Sequence, residues 1–558
     1  EDYFRNHMLP FVQPVLLVKH KIRPFLNNAA LYLTLWLVDK ETKKNKYAIV
    51  KIPSDHLPRF IEVPSTKERY DLIMLDDIVR HSVSWMFPGY DIIDTYSVKL
   101  TRDAELYIDD EFSGDLVQKI KRSLIKREVG NASRFVYDRD MPEDMLTFLK
   151  DTFNLDKYDV LPEGRYHNNF NFFQLPDFGM HHLNNVLLPP LPYKPLEVVA
   201  DFFGAIQQRD HLLHVPYHTY ESVVRFFEEA AKDPAVTHIK IVQYRVAKKS
   251  RIMQALIDAV QSGKQVSVFI EVKARFDEEA NLRWGEQLEK AGVNVHYSFP
   301  GVKVHSKIAL VRRQEGNNFR LYSYLSTGNF HEDTAKIYSD LGIFTADERL
   351  TKEVGRVFAY LETVKVPEQR FEHLLVGQFN LRRGLVDLID QEIEHAKAGR
   401  KAEIILKMNS LQDRPMIKKL YEASQQGVKI KLIIRGICSL IPGLEGWSEN
   451  IQAISIVDRF LEHARIFVFH NNGEEQVYMS SADWMVRNLS YRIEVAFPIY
   501  CQEVKQEIKN FINIQLNDNV KARILDEAQQ NNYHHGNADI AIRSQIETYY
   551  HIKRKMDN

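Results

Sequence analysis

The sequence predicts an α/β protein, a mixed α+β amino-terminal part followed by two tandem β/α domains. Three observations carry this. At 558 residues the chain exceeds what one core holds. The stretch NNVLLPPLPYKP at 184–195 carries prolines that stop helix and strand alike, and so marks a boundary. Beyond it, a strand–turn–helix–Gly–strand pattern is stated twice. The domains expected are 1–191, 192–372 and 373–558.

Within 1–191, LYLTLWLVDKETKKNKYAIVKIP reads as two strands joined by a hairpin around Lys40–Asn45, and 115–128 reads as a helix. The first repeat is IKIVQYRVAKKSRIMQALIDAVQSGKQVSVFIEVKAR at 239–275, and the second is EIILKMNSLQDRPMIKKLYEASQQGVKIKLIIRGIC at 403–438. At a fixed offset of 164, Arg245 falls on Asn409, Leu256 on Leu420 and Gly263 on Gly427. Ile252, Leu256, Ala259 and Val260 form the apolar helix face of copy one; Met416, Leu420, Ala423 and Ser424 form that of copy two. The two glycines stand where helices end. Such units favour parallel strand pairing.

Composition narrows the function. Hydrophobic residues make up 44% and charged residues 27%, with a net charge of −1, so a polyanion site must be a local concentration of Lys and Arg. Two cysteines, Cys438 and Cys501, exclude a disulfide framework and fit a reducing compartment. No apolar run approaches the roughly 20 residues that span a bilayer, and no signal peptide is read at the start of the chain. A cytoplasmic location is expected, with peripheral contact at the inner face of the membrane left open.

The chemistry concentrates in VKVHSKIALVRR at 302–313. It reads as one strand, on which His305 and Lys307 share a face and look outward together. A lone His on a strand is usually structural, but this one has a counterpart. KVHSKIALV answers to LEHARIFVF, placing His305 against His463, and YLSTGNF answers to YMSSADW, placing Ser326 against Ser480 and Asn329 against Asp483. Asp340 and Glu494 then fall on one another, each 14 residues after its serine. A nucleophilic His needs its second ring nitrogen held by a carboxylate. The spacing therefore predicts that Asp340 orients His305 and Glu494 orients His463; salt bridges to Lys336 or Arg492 are the competing reading. The TGN turn at 327–329 is expected to face phosphate, and DEE at 277–279 reads as helix N-terminal charge.

Two histidines from two copies, each in a His-x-Lys or His-x-Arg word, resemble the phospholipase D superfamily, except that Arg312 and His470 stand where its motif has Asp. The longer words YRVAKKSRI, VKARFDEEANLRWGEQLEKAGV, LSTGNFHEDTAKIYSDLGIFTAD, KMNSLQDRPMIKKLYEAS, RGICSLIPGLEGWSENI and SSADWMVRNLSYRIEVAFPI closely resemble type 1 polyphosphate kinases, over most of 190–500 and more weakly through TRDAEL upstream. That family has four domains, and this chain resembles the last three, without the amino-terminal one. The resemblance implies reversible transfer of the ATP γ-phosphoryl group to inorganic polyphosphate through a phosphohistidine, with Mg2+ as cofactor. It implies His305 as the nucleophile, His463 as general acid–base partner touching ATP, and Tyr338 and Arg435 at the nucleotide. Arg245 and Arg275 fall in the Mg2+–phosphate region; arginine has no lone pair for a metal, so both read as phosphate clamps. Lys307 is placed to stabilise transferred charge. Lys248, Lys249, Arg251, Lys273, Lys303, Arg312 and Arg313 are candidates for a polyphosphate path. A homo-oligomer, dimer or tetramer, is the family expectation, and no nucleic-acid partner is expected. Two other readings stay open: a phosphodiesterase of the phospholipase D type, and a catalytically silent polyanion-binding scaffold.

Overall fold

The computed structural model describes residues 1–19, 21–22, 24–65, 69–102, 117–121, 132–274, 277–535 and 540–557. Most of the helix expected at 115–128, the end of TRDAEL, and Arg275 lie outside the described residues. The chain forms two compact units, the first ending at Val186 and the main body of the second running from Leu187.

In the first unit a six-stranded sheet is built in the order Pro14–Leu17, Asn45–Lys51, Leu31–Asp39, Tyr90–Arg102, Ala132–Asp138, Val160–Glu163. The expected hairpin is there, with Leu37 paired to Lys46 across it. Side chains alternate along its strand: Leu31, Leu33, Leu35 and Leu37 pack on helix Leu75–Met86, while Tyr32 faces the core of helix Glu143–Phe153.

The second unit holds both copies. In copy one, β1 (His211–Val215), β2 (Val236–Gln243), β3 (Gln265–Ile270) and β4 (Asn294–Tyr297) alternate with α1 (Glu221–Lys232), α2 (Arg251–Gln261) and α3 (Glu278–Lys290). There follow β5 (Lys303–Val304), β6 (Ile308–Glu315), β7 (Asn318–Ser326), β8 (Tyr338–Thr345) and α4 (Glu348–Thr363). Copy two repeats the plan: β9 (Leu375–Val376), α5 (Leu381–Lys397), β10 (Glu403–Met408), α6 (Arg414–Gln425), β11 (Lys429–Ile434), β12 (Ile451–Ile456), β13 (Leu461–Glu462), β14 (Arg465–Phe469) and β15 (Gln476–Ser480). It closes with α7 (Val486–Tyr491), β16 (Arg492–Ile493), β17 (Val495–Pro498), α8 (Gln502–Leu516), β18 (Ala522–Leu525) and α9 (Ser544–Asp557). The parallel pairs expected of the repeats are β2 with β3 and β10 with β11. Both repeat helices end before a glycine at positive φ, +81° at Gly263 and +92° at Gly427, a conformation that strains any residue with a Cβ.

The long strand expected at 302–313 is two strands. β5 and β6 are separated by His305–Lys307, because the chain turns there from one partner to another: the N–H groups of His305 and Ser306 both donate to Ile493 O, at 2.9 and 3.1 Å. The two histidine strands are exchanged between copies. β5 of copy one pairs with β16 of copy two, and β13 of copy two pairs with β8 of copy one. One apolar cluster fills the space between the copies, drawing Val242, Val304 and Leu325 from the first and Ile433, Ile466 and Phe497 from the second.

Candidate active site

The exchange of strands decides which carboxylate meets which histidine. After Ile493 has accepted from His305, the next residue is Glu494, and its carboxylate lies 3.0 Å from His305 Nδ1. In the mirror arrangement the His463 N–H donates to Ser339 O at 3.0 Å, the next residue is Asp340, and its oxygens lie 2.8 and 2.9 Å from His463 Nδ1. Both histidines thus have the carboxylate the duplication predicted, but from the opposite copy. The expected pairing of Asp340 with His305 and Glu494 with His463 is incorrect. Spacing along the chain identified equivalent positions, and it could not show that the copies trade strands. Arg492 also approaches Glu494, at 3.8 Å.

Each carboxylate is fixed by a hydroxyl of its own copy. Thr327 Oγ1 donates to Asp340 Oδ1 at 2.6 Å. Ser481, the equivalent residue, donates to Glu494, and Asn488 Nδ2 adds a bond of 2.7 Å. Gly328 leaves room for this: a Cβ there would lie 2.5 Å from Asp340 Oδ2. Thr327 and Ser481 were not singled out from the sequence as carboxylate ligands, although the signal was present as a hydroxyl after Ser326 and after Ser480.

Burial and charge then set the protonation states. His305 is 9% exposed; burial first, then the charges of Lys307, Arg492, Arg465 and His463, push its pKa well below the ordinary 6.5. His463 is lowered by burial and by Arg465. Both rings are therefore neutral at pH 7. With Nδ1–H donated to a carboxylate, the lone pair sits on Nε2. On His463 that nitrogen accepts from Arg465 Nη1 at 3.1 Å. Burial acts to raise Asp340, but His463, Thr327 and Arg465 outweigh it and hold the carboxyl below its usual range. Glu494 is raised, chiefly by burial.

His305 and Lys307 do not look outward, as expected, but are enclosed. Lys307 is 2% exposed, donates to the His305 carbonyl and lies 5.1 Å from the Tyr244 ring centroid. Burial lowers its pKa to about 7. The Tyr244 ring stands edge-on to His305, with centroids 4.7 Å apart.

The other sequence candidates divide. Tyr338 lies with its ring centroid 5.2 Å from that of His463. Arg435 donates through Nε to Asn409 Oδ1 at 2.7 Å and to the carbonyl of Glu462, so both nucleotide candidates converge on the His463 side. Arg245 pairs with Asp277 at 3.1 Å, one residue from the Tyr244 that touches His305. Lys248 and Lys249 are exposed and line a groove of about 540 Å3 with Arg283 and Trp284. Lys303 is half-buried on β5. Lys273 is buried beside the buried Glu271. Arg251 is taken up by Glu221 and Glu228. Arg313 pairs with Asp233 and Glu315, and Arg312 stacks on Phe319 at 3.6 Å. Arg312 and Arg313 stand toward the far end of β6 from His305, so they do not join the site.

A duplicated α/β core that encloses two neutral, carboxylate-held histidines among lysine and arginine is the layout of a phosphoryl-transfer enzyme, with a nucleophile, a proton carrier and fixed cations in one place. The chain belongs to the polyphosphate kinase family. Residues 1–175 match the family's middle domain, 201–367 its C-terminal domain 1 and 374–545 its C-terminal domain 2. It is 46% identical over 558 residues to a polyphosphate kinase of Vibrio vulnificus, covering 99% of this chain and 79% of that one. It is 42% identical over 561 residues to that of Escherichia coli K12, covering 99% and 81%. The crystal structure of polyphosphate kinase from Porphyromonas gingivalis superposes with a TM-score of 0.86 at 40% identity, covering 100% of this chain and 82% of that one.

Proposed function

We propose that this protein is a kinase that reversibly moves the ATP γ-phosphoryl group to inorganic polyphosphate through a phosphohistidine at His305, with 192–372 and 373–558 as its two catalytic domains. The observation that carries the reading is the Nδ1 of His305 held by Glu494, which leaves Nε2 with the lone pair. Nε2 attacks the γ-phosphorus, the N–P bond forms, and ADP leaves with the bridging oxygen and its electrons. A terminal oxygen of polyphosphate then attacks the same phosphorus and returns the pair to Nε2. Because one phosphoanhydride is spent and one is made, the reaction runs both ways.

Lys307 and Arg465 supply charge where negative charge builds on the transferring oxygens. His463, held by Asp340, carries the proton at the leaving or entering oxygen. Its Nε2 is engaged by Arg465 in this structure, so that contact yields when phosphate arrives. Tyr338 and Arg435 hold the nucleotide, and Arg245 and Arg275 grip its phosphates. The groove lined by Lys248 and Lys249 leads the polymer away; contacts of that kind weaken with salt.

The residues present suit a Mg2+ ion that arrives with the phosphates. Among the described residues no three His, Cys, Asp or Glu side chains gather into a metal cage. Asp277, ion-paired with Arg245 here, would hold such an ion once Arg245 turns to phosphate, and phosphate oxygens and water would supply the rest of its ligands. When bound, the ion neutralises phosphate charge. No helix among the described residues is long and apolar enough to cross a membrane.

The test is incubation with γ-labelled ATP. An acid-labile, base-stable label on His305, discharged by polyphosphate, is expected. A fully folded protein that takes up no label, or that hydrolyses bis-p-nitrophenyl phosphate instead, would overturn the reading.

A further inference from the structure

We propose that the C-terminal helix α9, through Gln545, positions the short strand that presents His463, making Gln545 and Glu462 positioning residues for the reaction; this rests on the reading above. The presenting strand β13 is only two residues long, too short to hold its own register. It is secured from the side instead. Arg543 grips Asp458 with two bonds, of 2.6 and 2.8 Å. Gln545, fully buried, accepts from Phe460 N at 2.9 Å and donates to Phe460 O at 2.9 Å. Its Nε2 also donates to Glu462 Oε1 at 2.8 Å. The other Glu462 oxygen accepts from Lys407 at 2.6 Å and from Gln515 at 2.8 Å. The helix is itself pinned at its start, where Ser544 N donates to Asp518 at 2.7 Å.

The next residue after Glu462 is His463, and the Glu462 carbonyl is the one that Arg435 grips. One clamp therefore sets both the proton carrier and the nucleotide arginine. Helix packing alone does not call for this, since Tyr549 and Ile552 already bury the helix. A buried ion pair is an inefficient source of stability and a good fixer of register. The comparison within the chain is direct. In copy one, Val304 stands at the place of Glu462 and Gln243 at the place of Lys407. Val304 simply joins the apolar core, and the Gln243 amide has no partner among the described residues.

The experiment uses the full chain with Gln545→Met, Arg543→Gln and, as a control on an exposed contact of the same helix, Arg554→Gln. Gln545→Met is expected to lower kcat/KM for ATP about tenfold and to raise the His463 titration midpoint, followed by NMR of 15N-labelled histidine, toward the ordinary value near ~6.5. Arg543→Gln is expected to move both readings the same way by less, and Arg554→Gln to move neither. A folded Gln545→Met with wild-type kinetics and an unmoved His463 midpoint overturns the proposal, as does an equal loss in Arg554→Gln. If Gln545→Met does not fold, Arg543→Gln decides by the same two readings. Failure of wild type to take up label would instead sink the phosphohistidine reading, and the His463 titration, which needs no turnover, would still judge the clamp.

Discussion

Around His305 the cation two residues on is Lys307; around His463 it is Arg465. The Arg465 guanidinium is bound by Asp483 at 3.0 and 3.3 Å, and although burial works against its charge, Asp483 outweighs burial and raises its pKa. Asn329 occupies the place of Asp483 in copy one, and its amide oxygen has no partner among the described residues. Burial pushes Lys307 down to about 7, with Arg465 and Arg492 adding to it, although Glu494 and Asp340 work the other way. The parts are otherwise matched: a histidine, a carboxylate from the other copy, and a hydroxyl that fixes it. The difference teaches that two changes, arginine for lysine and carboxylate for amide, give one half a permanent charge and leave the other a buried lysine whose charged form an arriving phosphate would favour. In the proposed reaction the first suits a proton carrier that must stay in place, and the second suits the half proposed to take and give up a phosphoryl group.

The largest effect should come from removing the histidines. His305→Ala is expected to reduce label uptake and polymer synthesis to background, whereas His463→Ala should cut turnover by ~10²–10⁴-fold while His305 remains able to take some label. Equal loss of labelling in both would erase the division of roles.

The crossed carboxylates come next. Glu494→Gln should slow phosphorylation of His305 by on the order of 10²–10⁴-fold, because an amide can hold the wrong tautomer. Asp340→Asn should act on His463 instead, so overall turnover falls more than labelling does. Rapid-quench labelling of the two variants side by side checks this, and the opposite ranking would mean that the crossed contacts are not the working ones.

Smaller losses are expected at the hydroxyls that hold the two carboxylates. Thr327→Val and Ser481→Ala each delete a hydrogen bond to a buried carboxylate, worth about 1–3 kcal/mol, and should lower kcat about tenfold, through His463 and His305 respectively. The smallest change is a shift in pH dependence. As pH rises through about 7, Lys307 in the free protein loses its proton, so kcat/KM for ATP should fall. Asn329→Asp puts a carboxylate where copy two has Asp483, and is expected to favour the charged form of Lys307 and carry that limb to higher pH. A limb that stays in place would show that Lys307 does not report through it.

Much of this was legible in the sequence. The duplication appears as matched words, the repeat helices as apolar periodicity ending at Gly263 and Gly427, and the four catalytic candidates as residues that recur at the same place in both copies. Sequence by itself determined these things because periodicity and spacing are local, and because few side-chain types serve as nucleophile, proton carrier or orienting carboxylate. Tertiary structure alone decided the partners. The exchange of β5 and β13 between copies puts Glu494 on His305 and Asp340 on His463, across 189 and 123 residues of chain. It breaks the strand at His305–Lys307, buries a lysine whose sequence context looked exposed, and leaves Arg312 and Arg313 at the far end of β6. Such outcomes depend on which edge of which sheet is free when the two copies pack, and the shared apolar core that settles it is drawn from both halves at once.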